Sequence, residues 1–393
     1  MSLSTEGGQP HVLMLSEDFY PKTSGGAFTD TAVASTVAKE GNKVTVLTFR
    51  NGNTSREEQH QGATIRRPVR PLFYDHEINS IPNIVGRIIA TVGLLLATLS
   101  YLWNEDVDVI YSTNHFFHPV ASISAALFRI PVVSFIAYTP SLNPEKKSFK
   151  NPLYIFEQIN MRYFLGDVIL CRNPEIAKVA KRYNSGSDVQ VAHGVVNSDT
   201  VLSVSENRSS ETYREWLSEE AAINADSKII TFVGRFVDIK QPEIAAGTLS
   251  ELPPDYELIY IGDGDKKERV EQFVHEEGLD DRVHFFGAVP HEDVIKVLLA
   301  SDSLILTSRM ESYPTVVFEA LSCSCSVVAP PIGILPHLEI SETRLQIAEH
   351  ENLNQAITKV EEGSDEVDQR MLSEYSVSSL GKQVHDSFTR LVG

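Results

Sequence analysis

Short runs of consecutive apolar residues alternate with longer, mixed stretches along almost the whole chain. HVLML (11–15) leads to a helix-like pattern from Ala27 to Glu40, stopped by Gly41, and then to VTVLT (44–48). VDVIYS (107–112), PVVSF (131–135), DVILC (167–171) and VQVA (189–192) continue the rhythm. The second half repeats it with KIITFVG (228–234), YELIYIG (256–262), VHFFG (283–287), SLILT (303–307) and SVVAP (326–330). This alternation predicts an α/β protein whose parallel sheets are covered by helices on both faces. The stretch 197–227, rich in Ser, Glu and Asn and without a strand-like run, marks a domain boundary. The pattern therefore predicts a Rossmann-like domain over 1–200 and a second over 201–375. The terminal VSSLGKQVHDSFTRLVG reads as an amphipathic helix, and 376–393 is expected to return to the first domain. No short-period repeat of a solenoid is present. In such folds a ligand sits at the carboxyl ends of the strands.

One segment breaks the rhythm. IVGRIIATVGLLLATLSYLW (84–103) approaches the length of a membrane span, but Arg87 sits near its start and strand-like runs flank it. A buried or interfacial helix fits those flanks, and docking against a bilayer surface is the other reading. The opening MSLSTEGGQP has no apolar core of a secretory leader, which points to a cytoplasmic location, with association to the cytoplasmic face of a membrane as an extension of it.

Composition adds exclusions. The net charge of −19 argues against a nucleic-acid partner, because phosphate backbones select basic surfaces. Cys171, Cys323 and Cys325 are too few for a disulfide framework and lack zinc-site spacing, so they are expected to be reduced and buried. Asp263 and Asp265 match no metal loop, and no metal site is predicted. Nothing calls for pyridoxal phosphate or another cofactor.

The candidate chemistry lies at strand ends. After the first strand, SEDFYPKTSGGAFTD places Gly25 and Gly26 before a helix, where backbone can approach a phosphate. VGRFVDIKQPE puts Gly234, Arg235 and Lys240 after a strand, a fork and a point charge suited to a diphosphate. YIGDGDKKER, with Gly262 and Gly264, is a similar turn. In ESYPTVVFEA, Glu311 lies ahead of a helix, Pro314 suits its first turn, and Glu319 is inside it. Between the carboxylates lie the first-turn amides of Thr315 and Val316, an anion site. Two hydroxyl-binding acids around an anion site fit a sugar nucleotide.

GRFVDIK, IGDGD, VHFFGAVPHEDV and ESYPTVVFEA closely resemble, in order and spacing, the retaining glycosyltransferases of family 4. The likeness runs from about residue 11 to the end and is most specific over 228–340. It implies the GT-B fold, two facing Rossmann-like domains. It also implies a UDP- or GDP-sugar donor and a hydroxyl acceptor, a glycan or a lipid-linked one. By the same likeness Arg235 and Lys240 hold the diphosphate, Glu311 the transferred sugar and Glu319 the ribose. Thr315 and Val316 meet the phosphate, and Gly26 closes over it from the other domain.

The departures are equally specific. Tyr138, in VVSFIAYTP, stands where relatives often carry a histidine beside the reacting sugar. His115 and His118, in YSTNHFFHP, are the nearby candidates for acceptor-side catalysis. The usual Gly-x-Pro before the last strand reads Ser324-Cys325-Ser326, and the usual Gly-Gly beyond it reads Gly333-Ile334. Tyr138 and Ile334 keep open a non-catalytic sugar-nucleotide-binding partner, and the same fold also admits a nucleotide-sugar epimerase or hydrolase, which would need catalytic acids in the cleft of the first domain.

Overall fold

The computed structural model describes residues 9–392 except 23, 73–80, 143–146, 150, 185, 208–209, 222, 225, 312 and 362–365. Thr23 of the glycine loop and Ser312 of the ESYPT motif therefore lie outside the described residues. The chain divides into two compact units. One comprises the chain up to Gly194 together with the segment from Val377 onward, and the other is Val195–Ser376.

The first unit holds an eight-stranded sheet. Its strands are β1 (His11–Leu15), β2 (Lys43–Phe49), β3 (Glu57–His60), β4 (Ala63–Val69), β5 (Val109–Ser112), β6 (Val132–Ile136), β7 (Val168–Cys171) and β8 (Asp188–Val191). The spatial order is β3-β4-β2-β1-β5-β6-β7-β8, parallel throughout except for the β3–β4 hairpin. Crossovers run through α1 (Gly25–Lys39), α2 (Ile81–Asn104), α3 (His118–Phe128), α4 (Pro152–Tyr163) and α5 (Pro174–Tyr183). β1, β5, β6 and β7 are buried along their whole length, as expected of strands covered on both faces.

The second unit holds six strands, β9 (Lys228–Val233), β10 (Tyr256–Ile261), β11 (Val283–Gly287), β12 (Ser303–Ile305), β13 (Ser326–Ala329) and β14 (Leu345–Ile347), in the order β11-β10-β9-β12-β13-β14. Its helices are α6 (Ser198–Asn207), α7 (Ser210–Ala221), α8 (Pro242–Ser250), α9 (Lys267–Glu276), α10 (His291–Ala300), α11 (Thr315–Ser322), α12 (Leu353–Ile357) and α13 (Gln369–Tyr375). The last helix, α14 (Val377–Val392), packs back onto α1 in the first unit, with Leu380, Val384 and Phe388 in the core there. Gly381 makes that approach close, since a Cβ on it would lie 2.5 Å from the Thr36 Cβ.

The strandless stretch 197–227 carries two helices: α6 and α7 pack on α10, burying Val201, Tyr213 and Leu217 in the second unit. Two expectations need correction. Gly25 and Gly26 are the first residues of α1 rather than the loop before it, and Ser24 caps the helix by accepting from the Ala27 N–H at 3.2 Å. Pro314 likewise is the extended cap of α11, not a residue of its first turn. α2 is only half covered. Ala90, Leu94, Tyr101 and Leu102 face the core, but Leu96 is 63% exposed and Trp103 82%. The three cysteines are free and buried, and burial pushes the Cys171 thiol up to about 12.

Candidate active site

In each sheet the strand order reverses once, between β1 and β5 in the first and between β9 and β12 in the second. Loops leaving such a reversal diverge to opposite faces and open a crevice at the strand carboxyl ends. Every candidate residue except Gly262 and Glu319 belongs to the loops or helix starts that follow these four strands.

In the second unit Lys240 Nζ meets Glu311 Oε1, joining the loop after β9 to the loop after β12. Ser308 Oγ donates to the same carboxylate oxygen at 2.9 Å. The Thr307 hydroxyl holds the Lys240 carbonyl at 2.7 Å, and the Arg309 N–H holds the Ile239 carbonyl at 2.9 Å, so both backbones are tied together. Arg235 is exposed and has no ion-pair partner among the described residues. Gly262 serves this geometry through packing. Its φ is +137°, and a Cβ there would lie 1.9 Å from the Gly234 carbonyl oxygen, so only glycine lets the two strand-end turns touch. Gly234 itself donates its N–H to the Ile261 carbonyl at 2.9 Å.

α11 begins beside Glu311 with Thr315 and Val316 and has no side-chain cap. That leaves its N-terminal dipole and first amides to an anion. Tyr313 stacks on Phe318 at 4.5 Å between ring centres, fixing the entry of the chain into the helix. Glu319 is buried, and its Oε1 lies 2.8 Å from His291 Nε2 at the start of α10. This bond raises the His291 pKa. His291, inside the quoted VHFFGAVPHEDV, and Ser308 were not singled out by sequence reasoning. Only the packing of α10 on α11 links His291 to a carboxylate 28 residues on. Ile334 lies in the apolar core, and Ser324 adopts a left-handed backbone with φ +57°.

In the first unit, Gly25 and Gly26 have open space where a Cβ would stand: nothing lies within 4 Å of the first, and the nearest atom to the second is 3.9 Å away. The fold therefore does not require glycine at either place. A cavity of about 300 Å³ opens after β5 and β6. His115, Phe116, Tyr138, Arg87, Leu153 and Phe156 contribute to its wall. His115 Nε2 donates to the Tyr138 carbonyl at 3.0 Å, leaving its buried Nδ1 without a partner. His118 also lines the cavity, but its ring is buried and its Nδ1 bonds the Ser112 hydroxyl at 2.7 Å. Burial lowers the pKa of both histidines, His118 more strongly. A polar network missed by sequence reasoning sits beside them. Glu17 accepts from Arg87 at 2.7 Å and from Asn114 at 2.6 Å. Among the described residues no group of three or more metal-ligating side chains is assembled.

Two doubly wound units with charged residues at their strand ends define the GT-B class of glycosyltransferase folds, and solved structures agree. The structure of Anabaena Alr3699/HepE in complex with UDP superposes with a TM-score of 0.71 at 18% identity, covering 97% of this chain and all of that one. Sucrose-phosphate synthase from Thermosynechococcus elongatus gives 0.69 at 18% identity, over 98% and 95% of the two chains. Residues 214–376 match the family model of the glycosyl transferases group 1. One subunit of the human phosphatidylinositol N-acetylglucosaminyltransferase is 26% identical over 84% of this chain. The D-inositol 3-phosphate glycosyltransferase of Mycolicibacterium smegmatis is 33% identical over 28% of it. The chain spans 63% of the length of the human relative and 26% of the mycobacterial one.

Proposed function

We propose that this chain transfers a sugar from a nucleotide-diphosphate donor to an acceptor hydroxyl with retention of anomeric configuration. The observation that carries the reading is the Lys240–Glu311 pair beside the uncapped start of α11, at the strand reversal of the second unit. Arg235, Lys240 and the amides of Thr315 and Val316 stabilise the charge that grows on the leaving diphosphate. Glu311 holds hydroxyls of the transferred sugar, and Glu319, oriented by His291, those of the ribose. Gly25 and Gly26 let backbone approach the donor phosphates. On the acceptor side His115 and His118 are the candidate catalytic residues. His115 carries the unpartnered ring nitrogen and is the stronger of the two.

Neighbouring structures hold UDP and UDP-glucose, which makes a UDP-sugar the first donor to test and a GDP-sugar the second. The names of the human and mycobacterial relatives point to an inositol-containing acceptor, lipid-borne in the human case. A cytoplasmic location, at the face of a membrane, suits such an acceptor. Incubating the protein with labelled UDP- and GDP-sugars and candidate acceptors tests the reading. A glycoside of unchanged anomeric configuration, seen by NMR, supports it. Free sugar alone indicates a hydrolase, a changed sugar an epimerase, and binding without turnover a non-catalytic partner.

A further inference from the structure

α4 buries two polar side chains against the loops of the first unit. Glu157 is 1% exposed and Asn160 0%, and their spacing of three puts them on one face of the helix. No cation pairs with Glu157 among the described residues, and a buried carboxylate without one is costly unless donors surround it. Three donors do, all from the loop after β6. Glu157 Oε1 accepts from the Thr139 hydroxyl and from Ser141 Oγ at 2.5 Å, and Oε2 accepts from the Ser141 N–H at 3.0 Å. Asn160 reaches the other loop: its Nδ2 donates to the His115 carbonyl, after β5, at 2.9 Å.

The two attachments meet. His115 Nε2 donates to the carbonyl of Tyr138, which one peptide bond joins to Thr139. A closed circuit thus runs from Glu157 through Thr139 and Tyr138 to His115, and back through Asn160 to α4. Tyr138 enters it through its carbonyl, which any residue would supply. Phe156, also on α4, stacks on Phe116 with ring centres 5.0 Å apart and holds the residue next to His115. Leu153 and Phe156 make α4 one wall of the cavity that His115 and Tyr138 line. With its backbone and its Nε2 both anchored, the His115 ring presents the unpartnered Nδ1 in one direction.

We propose that Glu157 and Asn160 are positioning residues that lock the two cavity loops together and so aim His115 at its substrate. The role in turnover rests on the transferase reading above, whereas the anchoring of His115 does not. NMR of the full chain carrying isotope-labelled histidine reads the anchoring without any donor or acceptor. The wild type should show a slowly exchanging Nε2–H proton for His115 and a titration below the ordinary 6.5. In Glu157→Ala and Asn160→Ala, each checked for unchanged circular dichroism, that proton signal should vanish and the titration should move up toward the ordinary value. Glu157→Gln should restore both, because its oxygen can face the Ser141 N–H while the Thr139 hydroxyl turns to accept from its amide. Thr139→Val removes one donor and leaves α4 intact, so it should shift both signals less but in the same direction, and it decides the matter if Glu157→Ala does not fold. In transfer assays both alanine variants should lose about tenfold or more in kcat, with the donor KM within about twofold of wild type. Unchanged His115 signals in Asn160→Ala and Thr139→Val overturn the anchoring. Altered His115 signals with an unchanged kcat overturn the role in turnover. If the wild type transfers no sugar while the signals change as expected, the transferase reading fails and the anchoring stands.

Discussion

Lys240 and Glu311 are 71 residues apart in sequence and form one ion pair across the strand reversal of the second unit. Both side chains are mostly covered, at 23% and 16% exposure, whereas Arg235 is exposed and unpaired among the described residues. The two cations therefore differ in what they do for the folded chain. Arg235→Ala should weaken nucleotide-diphosphate binding by about 10- to 100-fold, the loss of one charge-assisted contact, and leave thermal stability unchanged. Lys240→Ala should weaken binding similarly and also destabilise the fold by roughly 1–3 kcal/mol, because Glu311 then keeps its charge with Ser308 as its one remaining donor among the described residues. Adding Glu311→Ala should restore the stability but not the binding. Calorimetry and thermal unfolding read both quantities, and unchanged affinity in both single variants would remove the proposed diphosphate site.

Glu319 and His291 carry a pH dependence. The bond to Glu319 raises the His291 pKa, so their mutual stabilisation is full below the unfolded value near 6.5 and is lost as pH rises through the raised value. His291 is partly exposed, and the pair is expected to contribute about 0.2–1 kcal/mol. NMR titration of His291 should show the upward shift, and Glu319→Gln should abolish it. The same variant should weaken ribonucleotides more than 3′-deoxyribonucleotides. Equal binding of the ribo- and deoxy-forms to the wild type would end the ribose role.

What the sequence reveals follows burial. Strands such as β1 and β6 are apolar throughout because both faces are covered, and the apolar runs located them within two residues. The β3–β4 hairpin escaped notice for the opposite reason. EEQH is a polar edge strand, and its turn is Gln61-Gly62, both with positive φ, in place of the Asn-Gly that usually signals such a turn. Lys240 and Glu311 were visible as strand-end residues, but their pairing depends on β12 lying next to β9. Composition likewise announced α2 as apolar, yet could not say that one apolar face is inside and the other outside.

Ser324 tests how the chain tolerates the loss of a glycine. Its φ of +57° is left-handed, and its hydroxyl donates to the Glu366 carbonyl. Ser324→Gly should be nearly neutral, since relief of about 1 kcal/mol of backbone strain offsets one hydrogen bond of similar size. Ser324→Ala keeps the strain and loses the bond, so it should destabilise by about 1 kcal/mol. Chemical denaturation distinguishes the two, and equal losses would show that the strain is not expressed.

His115 and His118 should separate in the same way. His118 is buried against Ser112, so His118→Ala should lower stability by roughly 1–3 kcal/mol. His115 lines the cavity with a free Nδ1, so His115→Ala should lower kcat at least tenfold with a smaller effect on unfolding. Equal transfer rates in the wild type and the double variant would remove both from the acceptor side.

Asp30 places a second titration at the strand reversal of the first unit. Its Oδ2 accepts from the Ser16 and Thr113 hydroxyls, both at 2.6 Å, the second of these residues lining the cavity. Burial raises its pKa from 3.8 to about 6 despite those donors and Arg172. The folded chain thus holds a proton between about pH 4 and 6 that the unfolded chain has released, and stability from this group falls as pH rises through that window. The shift corresponds to at most about 3 kcal/mol. Asp30→Asn keeps an oxygen acceptor for both hydroxyls and carries no charge. Its stability should exceed that of the wild type at pH 7.5, match it near pH 4, and vary less with pH between those points. Urea unfolding across this range measures the difference. A wild type that is more stable than Asp30→Asn at pH 7.5 would show that Asp30 is ionised at no cost and that its hydroxyl donors outweigh its burial.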